Sequence, residues 1–264
     1  MIIDFHTHAY PPAIVERTLK YLYESSGGVM YARTKGMIGD LLDSMREAGI
    51  DRSVILPVAT KPSQFGSINR YSVELNQNPG ITAFGGIHPA SEHIPEEMRQ
   101  IRELGLKGIK LHPDYQGADF DDPGYFKIFA AAVENDLIVV THAGRDPYSD
   151  DHTHCTPDMI LRVHRAFPDL KLVCAHNGSR MMWDEVETKL CGRGIYFDTS
   201  RMCDISKEQF LRLVDRNGAD HMLFATDNPW VDIKEELRLF HACGLDSRTE
   251  QMILSENAMR LLGE

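Results

Sequence analysis

Eight short apolar runs punctuate this 264-residue chain at nearly regular intervals. They are residues 2–6, Arg52–Pro57, Ile81–Ile87, Gly108–Leu111, Leu137–Thr141, Lys171–Ala175, Ile195–Asp198 and Met222–Thr226. Their near-continuous apolarity is that of strands covered on both faces, as in parallel sheets. Amphipathic stretches separate them, and eight strand–helix units are the number that closes a (β/α)8 barrel, the TIM-barrel class of α/β fold. No low-complexity linker or shift in composition divides the chain, so residues 1–264 are expected to form one domain.

The intervening stretches carry helix starts and stops. Asp122-Pro123 and Thr156-Pro157 place an N-cap residue before a proline at the first helical position. Ser206 to Gln209 and Asp232 to Glu235 have capping-box spacing. Gly49 and Gly105 follow helical periodicity where a left-handed C-terminal residue is wanted. Arg248–Leu262 reads as a last helix folding over the barrel. Two segments exceed ordinary loop lengths, Ala9 to Gly39 after strand one and Gly144 to Cys155 after strand five, and both would lie on the catalytic face.

The strand ends share one kind of chemistry. The first run ends in His6-Thr7-His8, and strict alternation would put Asp4, His6 and His8 on one face. The third run ends at His88, the fourth supplies Lys110 and His112, the fifth His142, the sixth His176 and the eighth Asp227. Each alone has a plain alternative, a hydrogen-bonded histidine or a turn-forming Asp-Asn-Pro. Converging on the open mouth of one barrel, they are nitrogen and oxygen donors suited to a metal ion.

These motifs resemble the amidohydrolase superfamily, most closely amidohydrolase family 2, the aminocarboxymuconate-semialdehyde-decarboxylase-like metal-dependent hydrolases. The resemblance rests on His6-Thr7-His8, the strand-five His142, Ala175-His176-Asn177-Gly178, Thr226-Asp227-Asn228-Pro229 and the terminal Glu256-to-Leu262 stretch, and it spans nearly the whole chain. It implies that His6, His8, His142 and Asp227 hold one Zn²⁺; Mn²⁺, Fe²⁺ or Co²⁺ suits the same donors. Zinc would lower the pKa of its water towards ~7. Asp227 would then shuttle the proton, and His176 would polarise a substrate carbonyl. Asp4 is a candidate partner behind the ligands, or else a buried carboxylate satisfying amides at the barrel floor.

Lys110 leaves three readings open: a bridge between two ions, with His112 or His176 sharing them; a contact to an anionic substrate, together with His112; or an ion pair inside the barrel. His88 is read as structural or substrate-side. Arg33 and Arg145, in the two long loops, are candidate clamps for a substrate carboxylate or plain surface charges. His152-Thr153-His154 repeats the His-x-His spacing in an Asp-rich stretch and is read as loop or lid, not as a second metal clip.

A net charge of −11 argues against nucleic acid as partner. No apolar run approaches the ~20 residues of a membrane span. Five cysteines without CxxC pairing fit reduced thiols, so a cytoplasmic protein acting on a small molecule is expected, with a homodimer through the helical ring unsurprising. The leading function is metal-dependent hydrolysis of a small carboxylated or cyclic substrate. The alternatives are zinc-dependent, non-oxidative decarboxylation of an aromatic or unsaturated acid, a metal-dependent deoxyribonuclease or phosphoesterase, and a catalytically silent barrel serving as a scaffold. No arginine stands out in the sequence as the cation a decarboxylase needs.

Overall fold

The structure, a computed structural model, describes residues 1–148 and 152–264. Its parallel strands are β1 (Ile3–Thr7), β2 (Arg52–Ile55), β3 (Ile81–Ala83), β4 (Gly85–Gly86), β5 (Gly108–Leu111), β6 (Ile138–Thr141), β7 (Leu172–Cys174), β8 (Tyr196–Asp198) and β9 (Met222–Leu223). β1–β2–β3 and β4 through β9 pair as two sheets in chain order. β3 and β4 are halves of one stave, the expected Ile81–Ile87 strand. Between them the Phe84 amide donates to Ile55 O at 2.9 Å. At the other seam Phe5 N–H donates to Phe224 O (2.9 Å) and Asp227 N–H to His6 O (2.8 Å). Thr7 and Asn228 add a parallel bridge. Eight staves therefore close into the predicted barrel.

Side chains sort by strand face. Ile3, Phe5, Val54, Leu56, Phe84 and Val140 fill the lumen, and Leu261 and Leu262 of the terminal helix plug its floor. Each plugging leucine buries enough apolar surface to contribute roughly 2 kcal/mol. The opposite strand face, with Ile55, Ile109, Val139 and Phe224, packs against the helical ring. Thr156, Ser206 and Asp232 cap the helices Pro157–Ala166, Lys207–Asn217 and Ile233–Ala242 with their side chains. Asp122 precedes the helix Pro123–Glu134, but its carboxylate takes the Asp119 amide instead of capping. Gly49 and Gly105 are left-handed, as expected.

Three expectations change. The Ala9-to-Gly39 segment is not all loop: α1 (Val15–Ser25) crosses it, and Arg17, Thr18, Tyr21 and Leu22 from this helix line the central cavity. The terminal helix is interrupted by a π turn at Met252–Glu256. In β1 the pairing runs Asp4↔Ser53 and then Thr7↔Ile55, one residue more than its partner, so a bulge breaks the alternation. Asp4 accordingly does not share the face of His6 and His8. Its carboxylate takes the Thr226 hydroxyl (2.6 Å) and amide (3.0 Å) and the His6 amide, latching β1 to the strand that delivers Asp227.

Candidate metal centre

The C-terminal ends of the staves open into a cavity of about 980 Å³. At its base His8 Nε2 lies 3.2 Å and His6 Nε2 3.6 Å from the same oxygen, Asp227 Oδ1. The bulge in β1 and the left-handed backbone of Asp227 (φ 71°) bring these three together. His176, Asn177 and Arg201 are also left-handed, so four of the six non-glycine residues of that kind among those described sit at this site. Such backbone is held by its surroundings and concentrates where function fixes side-chain direction.

A ring of supporting contacts orients the imidazoles. His6 Nδ1 meets Asp198 Oδ2 at 2.8 Å, and His8 Nδ1 meets Leu56 O at 2.8 Å, which leaves each Nε2 facing the cavity. Lys110, buried in the lumen, places Nζ 3.1 Å from His6 Nε2. His142 Nδ1 and His176 Nε2 are 3.0 Å apart, and His176 Nδ1 meets Ser200 Oγ at 2.8 Å. His112 is stacked between Tyr115 and His142, at 3.6 and 4.2 Å between centroids.

The protonation states suit ligation. Burial holds His6, His112, His142 and His176 below the ordinary histidine range, as neutral imidazoles. Burial would raise the Asp227 carboxyl, but the His8 hydrogen bond and the charges of His6, His8 and Arg201 outweigh it and keep the group ionised. Burial lowers Lys110 to about 8 despite the nearby Asp198 and Asp227. His142 Nε2 is buried without a hydrogen-bond partner among the described residues. Such an atom is costly unless something fills its lone pair. With a lysine ammonium already against His6 Nε2, the donor set fits a cation.

Several candidates fall elsewhere. His88 does not line the cavity; its Nδ1 accepts the Ala90 amide at 3.1 Å. Arg33 and Arg145 are exposed and outside the cavity, Arg33 lying over the Tyr31 ring. The guanidinium groups at the site are instead Arg180 and Arg201, whose Nε atoms share Asp204 Oδ2 at 2.7 and 2.9 Å. Arg201 Nη1 reaches Asp227 Oδ2 at 3.5 Å. Asp146, its side chain nearly buried, stands 3.8 Å from His142 Nε2 and 3.7 Å from His112 Nε2, and burial lifts its carboxyl to about 7. Asp198, Ser200, Arg180 and Arg201 were not picked out from the sequence, although the polar Asp198-Thr199-Ser200 tail of the seventh run was a signal of the kind used for the other strands.

The amidohydrolase family model matches residues 3–263. The chain belongs to the amidohydrolase family. This amidohydrolase is an enzyme of the amidohydrolase superfamily. No curated protein matches it by sequence. Among solved structures it resembles 5-carboxyvanillate decarboxylase from Novosphingobium aromaticivorans, complexed with manganese and a nitrobenzoic acid, at TM-score 0.76 and 18% identity over 100% of this chain and 96% of that one. It resembles 2,6-dihydroxybenzoate decarboxylase from Rhizobium at TM-score 0.72 and 16% identity, over 99% and 98% of the two chains. A proposed 2-pyrone-4,6-dicarboxylic acid hydrolase from Pseudomonas putida follows at 0.70 and 19%, over 99% and 97%. At these identities the likeness is one of fold. No helix among the described residues is long and apolar enough to cross a membrane.

Proposed function

We propose that this amidohydrolase is a divalent-metal-dependent, non-oxidative decarboxylase of a small aromatic or conjugated unsaturated carboxylate. The observation that carries this reading is Arg201 lying 3.5 Å from the ionised Asp227, with Arg180 tied to it through Asp204. A cation for a substrate carboxylate thus stands beside the group that can move a proton. Hydrolysis would use the same Asp227 but would place a carbonyl beside it, with any substrate carboxylate held further from the proton-moving group than Arg201 stands.

His6, His8 and Asp227 would hold the ion, with His142 as a further donor, and Zn²⁺ and Mn²⁺ both suit this set. When bound, the ion supplies a Lewis acid that polarises a substrate oxygen. The chain supplies the rest. Arg180 and Arg201 hold the carboxylate in a fork geometry. Tyr10, Tyr115 and Trp230 give the cavity aromatic walls for a flat conjugated substrate. The lining carries six Lys and Arg against three carboxylates, in a chain of net charge −11, so the mouth attracts anions that the rest of the surface repels. Asp227 accepts a proton from a hydroxyl on the substrate and delivers it to the carbon bearing the carboxylate. The C–C bond then breaks, its electron pair returns to the conjugated system, CO2 leaves, and solvent reprotonates the oxygen. Neutral His176 donates Nδ1–H to Ser200 Oγ and accepts from His142 Nδ1 on Nε2, which turns the free Nε2 of His142 toward the cavity. The five free thiols favour work in a reducing, cytoplasmic compartment.

The test is a panel of carboxyl-labelled hydroxybenzoates, including 2,6-dihydroxybenzoate and 5-carboxyvanillate, with the lactone 2-pyrone-4,6-dicarboxylate, each with added Mn²⁺ or Zn²⁺. Release of labelled CO2, absent in Asp227→Asn, is the expected result. Ring opening of the lactone, with no CO2 from any acid, overturns the reading in favour of hydrolysis.

A further inference from the structure

Outside the cavity, two catalytic-side loops meet at a second cluster of donors. Asp119 lies between the short helix Pro113–Gln116 and the helix Pro123–Glu134. His152 and His154 lie between β6 and the helix Pro157–Ala166. His152 Nε2 and His154 Nδ1 both point at one oxygen, Asp119 Oδ1, at 2.6 and 2.7 Å. All three donor atoms fall within 4.8 Å of one another. None of the three residues lines the cavity.

We propose that Asp119, His152 and His154 form a second metal site, taking a divalent transition-metal ion of the zinc, nickel and copper class. The donor chemistry is two imidazole nitrogens and one carboxylate oxygen, the set those ions prefer over calcium or magnesium. The His-x-His spacing alone carried no such meaning; the third donor comes from a loop more than thirty residues earlier, which only the fold reveals. The rings stand edge to face, with centroids 4.5 Å apart and planes at 83°, so their nitrogens converge without the rings colliding.

The metric also fits. Around a tetrahedral ion with bonds of ~2.0–2.1 Å, neighbouring donors are separated by about 3.3 Å. The present contacts need to open by only about 0.6 Å to admit an ion. A neutral imidazole accommodates this by carrying its proton on the other ring nitrogen. The side chains of His152, Asp119 and His154 are 57%, 33% and 26% exposed, so water completes the coordination. The backbone holds the cluster in place already: Phe120 N–H donates to His154 O at 2.8 Å, and Asp119 N–H donates to Asp122 Oδ2 at 3.1 Å.

An ion here ties the segment bearing His112 to the segment bearing Asp146, both of which end in the cavity. It clasps the rim of the active site from outside, and it does so whatever reaction the cavity performs.

The test is metal content after dialysis against micromolar Zn²⁺, repeated with Ni²⁺, for the wild type, the double variant His152→Gln/His154→Gln, Asp119→Asn and His8→Ala. The wild type is expected to hold one equivalent more than the double variant and than Asp119→Asn. His8→Ala should keep that extra equivalent, because its lesion is in the cavity. The same ion should raise the Tm of His8→Ala, and should raise that of the wild type by more than that of the double variant, whose cavity still binds an ion. Equal metal loading in the wild type, the double variant and Asp119→Asn, each confirmed folded by circular dichroism, overturns the proposal.

Discussion

His6 Nδ1 stands 2.8 Å from Asp198 Oδ2, with both side chains shut away from solvent. Asp198 accepts there, so the imidazole carries its proton on Nδ1 and presents Nε2 to Lys110 and Asp227. The same carboxylate takes the His176 amide at 2.9 Å and the Ser200 hydroxyl at 2.5 Å. One buried aspartate therefore sets the direction of two of the imidazoles that face the cavity.

Replacing Asp198 by Asn removes the charge that fixes this tautomer while keeping the shape. Metal affinity is expected to fall about 10- to 100-fold, as for other carboxylates behind a ligating histidine. Isothermal titration with Mn²⁺ reads it, and an unchanged affinity would show that Asp198 has no orienting part.

Arg201→Ala should raise KM for a carboxylate substrate by about 10- to 100-fold, the worth of a charge-assisted pair, with Arg201→Lys falling between. Steady-state kinetics on whichever acid releases CO2 separates this from a kcat effect. No change in KM would remove Arg201 from the carboxylate site.

Gly144 has φ +86°, and a Cβ there would come 2.2 Å from Arg180 N and 2.3 Å from Arg180 O. Gly144 and Arg180 are bridged in parallel, so an alanine must displace the Arg180 backbone. Gly144→Ala is expected to cost about 2–4 kcal/mol in urea unfolding. A loss below about 1 kcal/mol would mean that this contact yields easily.

Glu236 Oε2 accepts the Met202 amide at 2.6 Å, just beyond Arg201, and burial lifts its carboxyl from 4.5 to about 8. The folded state thus holds a proton that the unfolded chain releases, and stability falls as pH rises from the unfolded value through about 8. Glu236→Gln cannot ionise. Its Tm is expected to drop less than that of the wild type between about pH 5 and about pH 8.5, by several degrees. Parallel Tm–pH curves would contradict the assignment.

The barrel and the histidines at its mouth were legible because a polar residue ending a short apolar run stands out against its neighbours. His6, His8, His142, His176 and Asp227 are all of that kind. Asp4 misled because alternation assumes a regular strand, and a one-residue bulge is invisible in composition. Asp198 ends a strand too, but it reads equally as a turn former until its partner 192 residues away is placed. Arg180 and Arg201 lie on loops whose direction depends on left-handed backbone at His176, Asn177 and Arg201 itself, conformations that non-glycine residues seldom advertise. Arg33 and Arg145 were chosen for lying in long loops, and loop length does not say which side chain turns inward.

The most direct measurement is an anomalous-scattering crystal structure of the protein grown with Zn²⁺ or Mn²⁺. The account predicts a peak in the cavity within about 2.4 Å of His6 Nε2, His8 Nε2 and an Asp227 oxygen. A fully occupied peak elsewhere in the cavity, or none at all while the three side chains keep their present contacts, would contradict it.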